Sequence, residues 1–266
     1  MKKKFKIGLG LAIAGPGLLA YVDNQCFVAR EKQVKLENEK IKIPIKITQI
    51  SDFHSNVIRN LDELLANIGK FDPDFIILTG DIIDYGTDKK IDRSLYFLKK
   101  LTDLGIDTYY ITGNHEEGGP NLDKFLDGID KLGIKYLSNE ADTIDIKGQR
   151  VYLYGTGMYD FSLENFNPNS NDINIILSHF SKNIRDNYTE NIDFVFSGHT
   201  HGGQVRIPIV GSLIAPGEGI IPDYDMGIYK YNDSFIYVDS GLGNTFLPLR
   251  FLNPISYTNI TLAPVV

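Results

Sequence analysis

DFIILTGD, residues 74–81, decides how the chain is read. Phe75 to Thr79 form an apolar, β-favouring run that is too short for a helix and lacks polar alternation, the pattern of a strand buried on both faces. It stops at Gly80-Asp81, a turn pair followed three residues on by Asp84. Upstream, IKITQIS (45–51) has the same character, and so does TYYITG (108–113) downstream. Helical patterns separate and follow these runs: NLDELLANIGK (60–70), RSLYFLKKLTDLG (93–105) and LDKFLDGIDKLG (122–133). Strands alternating with helices of this length predict an α/β domain. Shorter strands and turns fill the second half: DTIDIKG, RVYLYGTG, INIILS, DFVFSG, QVRIPIVG, and a hairpin turning at Asn232-Asp233. The polar loop LENFNPNSND (163–172) is expected to be a mobile segment beside a site.

Working outward, 266 residues suit one large α/β domain, expected over 43–266. Residues 1–22 join a Lys-rich start to a sixteen-residue apolar run, Ile7 to Val22, which predicts a signal or membrane anchor. Good cleavage signals are lacking, so an uncleaved anchor is favoured over a secreted, cleaved form, with the domain on the extracytoplasmic side. Residues 23–42 are polar without sustained apolar periodicity and predict a tether. A net charge of −7 with no long basic cluster argues against nucleic acid as a partner. The single cysteine, Cys26, allows neither an internal disulfide nor a Cys-rich zinc module. Any metal site must draw on His, Asp, Glu or Asn. No G-x-S-x-G, P-loop or H-E-x-x-H occurs, and nothing in the sequence specifies an oligomeric state.

The exits of the buried strands are the informative positions. IKITQIS leads into Asp52-Phe53-His54, DFIILTG into Asp81 and Asp84, TYYITG into Asn114-His115-Glu116, INIILS into His179, and DFVFSG into His199-Thr200-His201. In α/β sheets the carboxyl ends of strands are where ligand-binding loops converge. All five histidines of the chain sit at such exits. Each element alone is an ordinary turn, cap or satisfied histidine; their conjunction is not. Asp52, His54, Asp81, Asn114, His179, His199 and His201 make seven candidate ligands, too many for one open ion and suited to two. Their O and N donors fit Mn²⁺, Fe or Zn²⁺ rather than a thiolate site. Two ions need a bridging carboxylate, and Asp81, central in the series, is the natural bridge. SGHTHGGQ (197–204) is expected to be extended, so that His199 and His201 face the same way and address the two metals from one side.

These motifs, Asp52-x-His54, Gly80-Asp81-x-x-Asp84, Gly113-Asn114-His115-Glu116, His179 and Gly198-His199-x-His201, resemble those of the calcineurin-like metallophosphoesterases. GHTHGGQ with the later GLG…PLRFLNP (241–254) is similar to the small, membrane-associated or exported bacterial branch. The resemblance implies a four-layer α-β-β-α sandwich of two mixed sheets flanked by helices, with the dimetal site at the strand ends. It implies one ion on Asp52, His54, Asp81 and His201, and another on Asp81, Asn114, His179 and His199. It leaves His115 as general acid or transition-state donor, oriented by Asp84. The implied activity is phosphomonoester, phosphodiester or pyrophosphate-bond hydrolysis by metal-activated hydroxide, without a covalent intermediate. The anchor and the apolar stretches Gly219–Pro222 and Phe246–Leu249 point to a lipid-linked or UDP-sugar-lipid envelope substrate. The alternative is a non-catalytic metal-binding scaffold of the same fold at the membrane.

Overall fold

The structure is a computed structural model that describes residues 27–85, 87–203, 205–207, 209–244 and 250–265. The segment read as an anchor and the stretch Phe246–Leu249 lie outside the described residues. Two six-stranded mixed sheets face each other. The first runs, in spatial order, β1 (Arg30–Glu37), β16 (Ser256–Ala263), β2 (Ile45–Ile50), β3 (Phe75–Thr79), β4 (Thr108–Ile111) and β5 (Lys135–Tyr136). Only the β16–β2 pair in it is antiparallel. The second runs β14 (Gly227–Tyr231), β15 (Ser234–Val238), β9 (Phe194–Ser197), β8 (Ile173–Leu177), β7 (Gln149–Gly155) and β6 (Glu140–Ile146). Its antiparallel pairs are the two outer ones.

The seam between the sheets is mainly apolar. Ile47, Phe75, Ile77 and Tyr109 of the first sheet meet Leu153, Ile175, Phe194 and Phe196 of the second. Burying a side chain of this size contributes about 1.5–3 kcal/mol, so this layer is a major source of the domain's stability, beside the comparable cluster under the helices. Every residue of β3 and of β8 is buried, as continuous apolar runs in interior parallel strands require.

Helices α1 (Leu61–Phe71), α2 (Asp88–Thr102) and α4 (Leu122–Lys131) cover the outer face of the first sheet. In α2 the buried residues Ile91, Ser94, Leu98 and Leu101 recur at three- and four-residue steps, one face of a helix. The second sheet's outer face carries a thinner layer: the six-residue α5 (Ser181–Asp186) and the loop that follows β7. Leu163 and Phe166 of the loop expected to be mobile pack against the sheet beside Tyr154, while Glu164, Asn165, Asn167, Asn169, Ser170 and Asn171 are exposed.

The tether expected over 23–42 needs correction, because residues 30–37 are β1. This edge strand pairs in parallel with β16 from the other end of the chain. Edge strands rich in Lys and Glu avoid edge-to-edge aggregation, and the same charges hid the strand's periodicity. Only Leu36 is fully buried.

Candidate metal centre

Every candidate ligand sits just past a strand that ends at one rim of the sandwich. Asp52 and His54 follow β2, Asp81 follows β3, and Asn114 and His115 open the short α3 (Asn114–Glu117) after β4. From the second sheet, His179 follows β8, and His199 and His201 follow β9. The loops hold their shape at a conformational cost: Asp52, His54, Asp81, His199 and His201 all have positive φ, between 48° and 71°. Left-handed backbone costs an L-residue roughly 1–2 kcal/mol. Backbone bonds between the first two loops offset it: the amides of Asp52, His54 and Ser55 donate to the carbonyls of Gly80, Asp81 and Ile82.

The GHTH segment is therefore not extended, which corrects the basis for placing its two histidines. Its φ values of 71° and 51° wind it into tight turns. The consequence is that His199 and His201 face different partners. His199 Nδ1 is 3.2 Å from His179 Nε2, whereas His201 Nε2 is 3.1 Å from His54 Nε2 and 3.4 Å from Asp52 Oδ1. Gly198 is needed because an added Cβ would overlap Ser51 Oγ and the Asp52 carboxylate. Gly113 is needed because a Cβ there would strike the Asp81 carboxylate.

Asp52, His54, Asp81 and His201 thus form one compact donor group, and Asp81, His179 and His199 a second. Asp81 Oδ2 belongs to both, lying 3.6 Å from His54 Nε2 and 3.4 Å from His179 Nε2. Asn114 Oδ1 is buried and has no hydrogen-bond partner among the described residues. A third group, His54, Asp84 and His115, overlaps the first. In it His115 Nδ1 is 3.1 Å from Asp84 Oδ1, and Asp84 also pairs with Lys90. His115 and Asp84 are the exposed side of the cluster, with side chains 16% and 32% accessible against 1–3% for His54, Asp81, His179 and His201.

The donor set fits divalent cations. His179 Nδ1 lies 2.7 Å from the Thr79 carbonyl, so that nitrogen carries a proton and Nε2 turns its lone pair to Asp81. A lone pair facing a carboxylate needs a cation or a proton between them. With a proton, the His179 imidazole rises to about 10: burial opposes this, and the Asp81 charge outweighs burial. Burial holds His54 down to about 4 and His199 to about 3, and it keeps His201 well below the ordinary histidine range. Burial likewise lifts the Asp52 carboxyl to about 7, with Asp81 adding to the rise and His179 opposing it. His115 is raised, its bond to Asp84 overcoming burial. A neutral, lone-pair-bearing imidazole is the form that ligates metal.

Some supporting residues carried no role in the sequence reading. Glu116 is fully buried, and its carboxylate accepts from the amides of Asp81 (2.8 Å), Gly113 (2.8 Å) and Ile83 (2.9 Å). It thereby clamps the loops bearing Asp81 and Asn114 together. Arg250 is buried with one guanidinium nitrogen 3.3 Å from His201 Nδ1, and Asn253 donates to the His201 carbonyl at 2.6 Å. Both belong to PLRFLNP, a stretch legible only as a motif. An arginine between the apolar Leu249 and Phe251 was the available signal for Arg250.

Such a rim, with an oxygen shared between two imidazole-rich donor groups on a two-sheet α/β sandwich, is the arrangement of a candidate dinuclear metal site. The profile of the calcineurin-like phosphoesterase family matches residues 45–203, and the chain belongs to that family. It is 29% identical over 228 residues to the metallophosphoesterase YkuE of Bacillus subtilis, covering 82% of this chain and 78% of that one. It is 27% identical over 212 residues to the phosphodiesterase YaeI of Escherichia coli, covering 76% and 77%. Among solved structures, TT1561 of Thermus thermophilus shares the fold at a TM-score of 0.50 and 12% identity, over 75% of this chain and 91% of that one.

Proposed function

We propose that the chain is a dinuclear metal-dependent phosphoester hydrolase held at a membrane by its N-terminal segment. The observation that carries the chemistry is the convergence of three imidazoles on one oxygen, Asp81 Oδ2, with His115 the outermost at 3.9 Å. In this reading Asp52, His54, Asp81 and His201 hold one ion. Asp81, Asn114, His179 and His199 hold the other. The mixed O and N donors suit Mn²⁺ first, with Fe or Zn²⁺ as alternatives. Two bound ions would supply Lewis-acid stabilisation of phosphoryl oxygens and acidify water.

The chain's own contribution lies at the open side. Asp84 holds His115 at Nδ1, so Nε2, which at 3.9 Å from Asp81 Oδ2 makes no hydrogen bond to it, is the nitrogen that gives a proton to the departing oxygen. Glu116 fixes the loop from which His115 projects. A non-catalytic scaffold would have no use for an oriented, accessible His–Asp pair beside the donors.

We assign the chain to the small exported or membrane-associated branch on GHTHGGQ and the apolar run Ile7 to Val22. The name of YaeI supports a phosphodiester substrate. The apolar run Ile7 to Val22 supports a lipid-linked one, the domain lying on the extracytoplasmic side. No helix among the described residues is long and apolar enough to cross a membrane, so anchoring rests on that run.

The test is a screen of chelator-stripped, Mn²⁺-reloaded full chain on aryl monoesters, aryl diesters and UDP-linked lipids. Turnover that depends on the added metal supports the reading. Two bound ions with no turnover of any class would favour the scaffold. Protease added to intact spheroplasts should remove the domain; digestion only after lysis would reverse the orientation.

A further inference from the structure

Residues 205–207 and 209–221 carry two small hairpins, β10 (Arg206–Ile207) with β11 (Gly211–Ser212), and β12 (Ile214–Ala215) with β13 (Gly219–Ile220). Backbone bonds from Leu213 to Val205 and from Ile221 to Leu213 join them into one flap. Seven of the sixteen large hydrophobic side chains exposed among the described residues lie between Ile207 and Ile221. Scattered apolar exposure is ordinary, but a cluster this dense marks an interaction surface. Ile209, Val210, Ile220 and Ile221 are all more than half exposed. The flap borders the metal centre: a Cβ added at Gly217 would lie 2.9 Å from His199 Nε2 and 2.7 Å from the Phe180 ring.

Topology supplies a second, independent fact. The metal centre lies at the carboxyl end of β2. Because β16 is antiparallel to β2, its first residue, Ser256, lies at that same end. Because β1 is parallel to β16 and Arg30 pairs with Ser256, the chain enters the domain there too. The Arg30 amide donates to Ile255, four residues past Phe251, whose carbonyl accepts from Arg206 of the flap. From Val22, where the apolar run ends, to Arg30 is eight residues, at most about 29 Å of extended chain. An anchor in 7–22 therefore tethers the domain by the rim that bears both the metal centre and the apolar flap.

We infer that the flap is a membrane-docking surface: it seats in the lipid interface and turns the metal centre toward the bilayer, so the substrate is an amphiphile presented there. This rests on the anchoring reading above. A net charge of −7 gives no attraction to anionic lipid, so the docking force is apolar insertion and zwitterionic lipid suffices.

The chain has no tryptophan, so one introduced indole reports one place. Ile209→Trp and Ile220→Trp, each in the full chain, put it on the flap. Ile43→Trp puts it just before β2, at the opposite end of the sheet, where Ile43 is also exposed. Each protein is reconstituted into phosphatidylcholine vesicles with and without bromine on the acyl chains. The expected result is flotation of all three, with bromolipid quenching and a blue shift for both flap positions and neither at Ile43. Flotation without quenching at the flap, or with equal quenching at Ile43, overturns the docking while leaving the anchor standing. A chain that does not float overturns both. Turnover of a soluble aryl diester by the unaltered chain on the same vesicles reports the catalytic reading separately.

Discussion

From the first sheet the metal centre takes every carboxylate, Asp52, Asp81 and Asp84, along with Asn114, His54 and His115. From the second it takes only imidazoles, His179, His199 and His201. The supporting chemistry divides the same way. The carboxylate loops are laced together by backbone bonds and by Glu116, whereas His201 is held from outside its own sheet by Arg250 and Asn253. The first sheet thus carries the negative charge and the rigid frame. The second closes nitrogen donors over it. Both donor groups span the sheets, so a cation in either one ties together two layers whose seam is otherwise mainly apolar, crossed by a few bonds such as Gln49 Nε2 to the Ser197 carbonyl.

The largest effect should come from breaking what the groups share. Asp81→Ala removes the only residue common to both, and we expect loss of both ions and at least about a 10³-fold fall in turnover, the scale of Lewis-acid stabilisation. His201→Ala, from the second sheet, should deplete one ion and retain the other. Elemental analysis of the two purified variants checks this. Two tight ions in Asp81→Ala would show that neither sheet depends on the shared oxygen.

Next in size is His115, which belongs to the first sheet yet takes part in neither proposed ion site. A positioned acid contributes about 10² to 10⁴-fold when the leaving group needs a proton. His115→Ala should keep its metal content, lose activity on alkyl phosphoesters by that factor, and lose much less on p-nitrophenyl esters, whose leaving group departs as a stable anion. Equal losses across a leaving-group series would reassign His115 to charge stabilisation.

A smaller and purely structural difference arises at Glu116. Glu116→Gln keeps the shape but sets an NH₂ against at least one of three backbone amides, which costs about 2 kcal/mol. For a chain of this size that is a fall of about 4–8 °C in melting temperature. Unfolding followed by circular dichroism measures it, and an unchanged midpoint would mean the loops do not need the clamp.

How much of this was legible in the sequence also divides by region. The buried strands β2, β3, β4, β8 and β9 announce themselves as apolar runs, and each delivers a donor residue at its end. β1 did not, because an edge strand buries one face only, and its partner β16 lies some two hundred residues away. Asp81 as the shared ligand was readable from its central place in the series, whereas the division of the other ligands into two groups came from the family resemblance. The turns that separate His199 from His201 were not, since positive φ at histidine leaves no periodic trace. Glu116 sat in plain view beside His115, but its role exists only once the strands bring three amides to one carboxylate.

The smallest expected effect concerns Lys90, which pairs with Asp84 on the open side of the first sheet. Two forces compete there. The ammonium neutralises Asp84 and thereby weakens its hold on His115, yet it also pins the carboxylate in the orientation that meets His115 Nδ1. Both side chains are about a third or more exposed, so water screens the pair and its contribution is about 0.2–1 kcal/mol. Lys90→Ala should therefore change kcat/KM by less than about fivefold and leave metal content alone, because a surface ion pair of that strength cannot reposition a hydrogen-bonded imidazole. A loss on alkyl esters as large as that of His115→Ala would mean that Lys90, rather than the His115–Asp84 contact, sets the position of the acid. The support for catalysis would then reach past the buried loops of the first sheet to helix α2.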